Sequence, residues 1–69
     1  MRIVINGDDK TFAQGTLSIS ELLEIENVSQ PDQVSVQVNG EFLRSSLYGT
    51  IRLKEGDAVD FLYFMGGGR

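Results

Sequence analysis

The sequence contains no cysteine and no histidine among its 69 residues. The first absence excludes disulfides and thiol nucleophiles. The second excludes an imidazole general base, and together they exclude a zinc constellation. Tryptophan is also missing, and Pro31 is the single proline. A chain this short makes one small domain and buries roughly 60% of the surface its unfolded form exposes. With neither staple available, regular structure around aliphatic side chains must hold it together.

Other absences narrow the partners. No run approaches ~18 apolar residues, so no membrane span is expected. The opening Met1–Gly7 is too short for a signal-peptide core. Lack of cysteine fits a cytoplasmic protein. There is no basic excess: ten acidic residues face six basic ones, a net charge of −4. That argues against nucleic acid, which needs a basic footprint. It suits a basic protein partner. No Asp/Glu cluster stands at metal-ligand spacing, so no metal site is expected, and Asp8-Asp9 reads as turn chemistry.

What is present is well patterned. Arg2 to Asn6 reads as a first strand, with Ile3 and Ile5 on one face. Asn6-Gly7 is a tight-turn signal. The turn is expected to extend over Gly7-Asp8-Asp9, with the returning strand over Lys10 to Gln14. Ser18 and Glu21 form a capping-box pattern, and Leu17 and Leu22 stand at the spacing of a hydrophobic staple. Ile19, Leu22 and Leu23 define the buried face of a helix running from Ser18 to about Asn27. Asn27 is a left-handed terminator and Pro31 bars continuation. Val34, Val36 and Val38 alternate with polar residues, as in a half-buried strand. Asn39-Gly40 then turns the chain into a short partner strand over Glu41 to Arg44. Leu47 and Tyr48 are expected to fold inward. Glu55-Gly56-Asp57 turns into a last strand over Ala58 to Met65.

The order is hairpin, helix, hairpin-like pair, final strand. One helix covers one face of such a sheet and leaves the other open. Placing the final strand beside the first makes them parallel. The expected fold class is therefore α+β, a β-grasp mixed sheet over residues 1–65 with one principal helix across it. In the last strand Val59, Phe61 and Tyr63 share one face. Asp60, Leu62 and Phe64 share the other, which is polar only at Asp60. Either that stripe leaves apolar surface open near the chain end, or the loop around Leu47 and Tyr48 covers it.

Residues 66–69, Gly66-Gly67-Gly68-Arg69, cannot pack a core. They are expected to form a thin flexible tail able to enter a narrow slot in another protein.

Together these residues resemble the ThiS family, the bacterial sulfur carriers of thiamine biosynthesis. The resemblance rests on a strand ending in Asn6-Gly7 and on the capped helix ending Glu21-Leu22-Leu23. It rests also on Val36-Gln37-Val38-Asn39-Gly40-Glu41, and on Glu55-Gly56-Asp57 leading to an apolar strand with glycines at its end. It covers essentially the whole chain. It implies a ubiquitin-like fold and a cosubstrate rather than an enzyme. A ThiF-like adenylating enzyme, which holds the ATP and metal, would activate a C-terminal glycine carboxylate. Sulfur originating at a cysteine desulfurase would convert it to a thiocarboxylate, and a ThiG-like thiazole synthase would accept the sulfur. No cofactor is implied on this chain.

By that resemblance the di-glycine falls on Gly67-Gly68. Gly68 would carry the reactive carboxyl, with Gly66 and Gly67 as the rest of the tail. Leu62, Phe64 and Met65 would touch the adenylating partner. Arg69 departs from the pattern, because Gly68 in amide linkage to it has no free carboxylate. Either a protease removes Arg69, or it is not native to the chain, or the tail is inactive. Gly66 stands where the family often has a larger residue. Two other functions stay open: a sulfur carrier for another pathway, of molybdopterin or cysteine type, and a non-covalent β-grasp interaction module.

Overall fold

The computed structural model describes residues 1–28 and 34–63. It is a mixed five-stranded sheet with one helix across a face, in the β-grasp arrangement. Strand β1 (Arg2–Ile5) turns through Asn6-Gly7 into β2 (Asp8–Thr11). Ile5 faces Asp8 across the pair, so the loop is only two residues long. Both turn residues have positive φ, 51° and 87°. That is the hairpin geometry for which Asn-Gly is favoured. Asp8 and Asp9 are therefore strand residues rather than turn residues, and β2 ends at Thr11, earlier than the expected Gln14. The tighter turn matches strand twist, so the ladder starts at once.

A two-residue strand, β3 (Leu17–Ser18), leads into helix α1 (Ile19–Ile25). The Ser18 hydroxyl accepts the Glu21 N–H at 3.1 Å, and the Glu21 carboxylate accepts the Ser18 N–H at 2.8 Å. An N-cap of this type stabilises by about 0.5–2 kcal/mol. A third orphan amide, that of Ser20, donates to the Tyr48 carbonyl at 2.9 Å. At the other end Asn27 takes φ 59°. The Val28 N–H then donates to the Leu23 carbonyl and the Asn27 N–H to that of Glu24. This pair of bonds is a Schellman closure. No basic residue lies in the last turn of α1. Lys10, from β2, supplies a cation there instead, 2.8 Å from Glu26.

Strand β4 (Val34–Val38) turns through Asn39-Gly40 into β5 (Glu41–Leu43). A 3₁₀ turn over Ser45–Leu47 follows, then β6 (Arg52–Leu53), which pairs with β3 in a small second sheet. The last strand is β7 (Ala58–Tyr63). The order across the main sheet is β2-β1-β7-β4-β5, with β7 parallel to β1 and antiparallel to β4. The strand nearest the chain end is thus the central one. Phe64 and Met65, expected to extend it, lie outside the described residues.

The core lies between α1 and one face of the sheet. Ile3, Ile5, Val34, Val36, Val59 and Phe61 come from the sheet, and Ile19, Leu22 and Leu23 from the helix. Leu17 and Leu53, partners across β3 and β6, belong to the same core. Val38, at the edge of the core, is only half-buried. Tyr48 folds inward as expected, and its hydroxyl donates to the Val34 carbonyl at 3.2 Å. Leu47 does not: it stays 38% exposed. The 3₁₀ turn aims successive side chains in different directions, so only one of the two can reach the core.

Candidate functional site

Among the described residues, nothing covers Phe42 and Leu62 on the face of the sheet opposite α1. Cross-strand partners share a face, so the pairs Gln37–Phe42, Gln37–Asp60 and Ser35–Leu62 define it. Phe42 is 64% exposed and Leu62 47% exposed. They stand on the two strands that flank β4, with Ser35 and Gln37 between them. Asp60, and Asp9 opposite Val4, place carboxylates on the same face. The result is an apolar pair with an acidic border, beside the strand that runs to the chain end. The loop carrying Leu47 and Tyr48 does not cover Leu62, because Tyr48 packs into the core on the other side.

Leu62 thus lies exposed, one of the two outcomes the sequence left open. Phe64, Met65, Gly66, Gly67, Gly68 and Arg69 lie outside the described residues. Phe42 was missed. A signal for it existed: a two-residue turn at Asn39-Gly40 pairs Val38 with Glu41, so counting back one step sets Phe42 opposite polar Gln37.

The entry to β7 is built with unusual polar detail. Asp57 is 5% exposed. Its carboxylate accepts the Lys54 N–H at 2.9 Å, the Asn39 side-chain N–H at 3.1 Å and the Lys54 ammonium at 3.3 Å. Burial pushes this carboxyl up, but the three donors together outweigh burial and hold it below the ordinary Asp range. Gly56 provides the positive φ, 85°, that the turn over Lys54–Asp57 requires. At the helix start, the Ser18 N–H is the main cause that lowers the Glu21 carboxyl, with Arg52 a lesser one.

Two asparagines reach β7 directly. The Asn6 carboxamide oxygen accepts the Phe61 N–H at 2.9 Å, and that of Asn39 accepts the Ala58 N–H at 3.0 Å. In the sequence both read only as turn residues. Among the described residues, no three carboxylates converge to hold a metal ion, and no helix is long and apolar enough to cross a membrane.

Comparison with known proteins places this scaffold. The crystal structure of the thiamine biosynthesis protein ThiS from Geobacter metallireducens superimposes with a TM-score of 0.88 at 42% identity, covering 99% of this chain and 100% of that one. The solution structure of a thiamine biosynthesis protein from the same organism gives a TM-score of 0.83 at 40% identity, over 100% of this chain and 90% of that one. A thiazole synthase of Paramagnetospirillum magneticum is 31% identical over 99% of this chain, which spans only 20% of that protein's length. Residues 3–68 match the ThiS family. The chain therefore belongs to the ThiS family, the ubiquitin-like sulfur carriers of thiamine biosynthesis, which are small non-catalytic proteins.

Proposed function

We propose that this chain carries sulfur as a thiocarboxylate on Gly68, once Arg69 has been removed, for the formation of the thiamine thiazole. The observation that carries the reading is the position of the glycines. They follow within a few residues of the central strand of a ThiS-family sheet. A rigid sheet then presents a side-chain-free end to a partner.

The chemistry follows from the carboxylate. It is a poor electrophile until a Gly68 oxygen attacks the α-phosphorus of ATP and pyrophosphate leaves. The terminal sulfur of a partner's cysteine persulfide displaces AMP and forms an acyl disulfide. A second cysteine thiol then attacks the inner sulfur, the two cysteines end as a disulfide, and the thiocarboxylate leaves with the outer sulfur. ATP and metal are held by a ThiF-like adenylating enzyme. A cysteine desulfurase is the distant sulfur source, and a ThiG-like synthase the acceptor. The last assignment is supported by the thiazole synthase in which a stretch resembles nearly the whole of this chain. The open face around Phe42 and Leu62 is the proposed docking surface for the adenylating enzyme, with Asp9 and Asp60 assisting encounter.

A carrier for another sulfur pathway is the second reading. Gene neighbours discriminate the two: a thiazole synthase gene supports thiamine, a metalloprotease with a cysteine synthase the alternative.

The test is ATP–pyrophosphate exchange with the cognate adenylating enzyme. The chain ending at Gly68 is expected to support exchange, and the chain retaining Arg69 is not. Gly67→Val should fold normally yet block exchange, because a β-branched side chain stiffens and widens the tail. A truncated chain that folds and binds but gives no exchange refutes the carrier reading.

A further inference from the structure

The central strand is held by side chains where its neighbours' backbones give out. The ladder between β1 and β7 ends at Ile5–Val59, because Asn6 swings into the left-handed region. In a parallel ladder the next rung would run from the Phe61 N–H to the Asn6 main-chain carbonyl. The turn takes that carbonyl away, and the Asn6 carboxamide oxygen accepts the Phe61 N–H in its place. At the other end of β7 the same substitution occurs. The Asn39 N–H donates to the Ala58 carbonyl at 2.7 Å, and the Asn39 carboxamide oxygen returns the bond from the Ala58 N–H. The two sites differ in their surroundings. Asn39 also donates to Asp57, which closes the turn that leads into β7. Asn6 acts three residues before Phe64, beyond which the glycines follow.

We propose that Asn6 is a positioning residue for the C-terminal tail. Its carboxamide fixes β7 at Phe61 from the β1 side, and so sets the line along which the tail enters a partner's active site. Past Phe61, the pairing that continues is with β4, at Leu62 and Tyr63. With the Asn6 bond lost, β7 is held beyond Val59 by β4 alone, so the point from which the chain leaves the described sheet is less fixed. Attack geometry tolerates little play, since reacting atoms must stand about 3–3.5 Å apart. Glycine at position 6 would satisfy the positive φ equally well but has no acceptor. Aspartate would keep both the acceptor and the tolerance of that backbone region.

This proposal rests on the carrier reading, and the experiment separates the two. In the chain ending at Gly68, Asn6→Gly, Asn6→Asp and Asn39→Gly are compared by amide hydrogen exchange and by steady-state ATP–pyrophosphate exchange. Asn6→Gly is expected to speed exchange of the Phe61 amide by about tenfold, the factor lost with one such hydrogen bond. The Ala58 amide should not change. The same variant should lower kcat by about tenfold or more and leave KM within about twofold, since the docking face is untouched. Asn6→Asp should restore both readouts. Asn39→Gly should release the Ala58 amide and spare kcat. Asn6→Ser, whose hydroxyl is too short to replace the carboxamide, serves if the glycine variant does not fold. The proposal is overturned if the Phe61 amide is indifferent to Asn6→Gly. It is overturned equally if kcat stays at the parent value, or if Asn39→Gly lowers kcat as much, which would mark general loosening. A silent parent chain removes the carrier reading and the proposal with it.

Discussion

Replacing Leu22 by alanine tests the centre of the structure. Leu22 is 0% exposed, on the face of α1 that joins the core. Truncation removes three carbons from full burial. At about 0.8 kcal/mol per buried methylene, the transfer loss alone is about 2.4 kcal/mol. The void adds to this in proportion to how little the site collapses, which sets a total of about 2–5 kcal/mol. Collapse is restricted here. The helix is pinned at its start by the capping box and the Ser20–Tyr48 bond, and at its end by the Schellman bonds. The upper half of the range is therefore expected. A domain of this length has about 3–10 kcal/mol in total, so such a loss removes about a third or more of it. Urea titration followed by far-UV circular dichroism measures the loss as a shift in midpoint at constant slope. Glu24→Ala, on the exposed side of the same helix, should change stability by less than about 0.5 kcal/mol. A Leu22→Ala loss below about 1 kcal/mol would refute the packing described, because no well-packed leucine is that dispensable.

Two further outcomes follow from the polar turn and the open face. Asp57 and Glu21 have their carboxyl groups held below the ordinary range. Their contribution is present above the unfolded value of about 4 and is lost as pH falls through the lower folded value. Urea midpoints should therefore drop on acidification below about pH 4, and Asp57→Asn should be less stable at neutral pH with a flatter acid limb; an unchanged limb would count against the Asp57 network. On the open face, Phe42→Ala or Leu62→Ala should weaken binding to the adenylating enzyme by more than about 1 kcal/mol without altering the melting temperature appreciably. Calorimetric titration measures this, and parent-like affinity in both variants would move the docking surface elsewhere.

The local grammar of the sequence was enough for the helix and the two hairpins. Ser18, Glu21 and Asn27 mark the helix ends by chemistry that operates within a few residues. The alternation of Val34, Val36 and Val38 marks a strand whichever neighbour it finds. The parallel placement of β7 beside β1 followed from topology rather than from any residue. What escaped were relations set by register. Asp8 and Asp9 looked like turn residues because their composition is polar, whereas the two-residue turn made them the start of an edge strand. Phe42 looked like an ordinary strand residue until its partner across the pair was known. The hydrogen bonds that Phe61 donates to Asn6 and Ala58 donates to Asn39 span 55 and 19 residues of sequence. No local pattern encodes such a distance; only the order of strands brings the groups together. Of the candidate site, the exposure of Leu62 was one of two outcomes open to a stripe that failed to turn polar.

The place of β7 in the sheet has a consequence for how the protein is made. The flanking strands leave the ribosome first, and the strand that joins them comes last. Until it arrives, the β1–β2 hairpin and the β4–β5 hairpin have no common ladder, and Ile5 and Val38 both lack their shared neighbour Val59. The sheet then closes through contacts between distant parts of the chain, which slows folding relative to a helical domain of equal size. Synthesis and folding are thereby ordered: the central strand that leads to the glycines is also the one whose arrival allows the sheet to form.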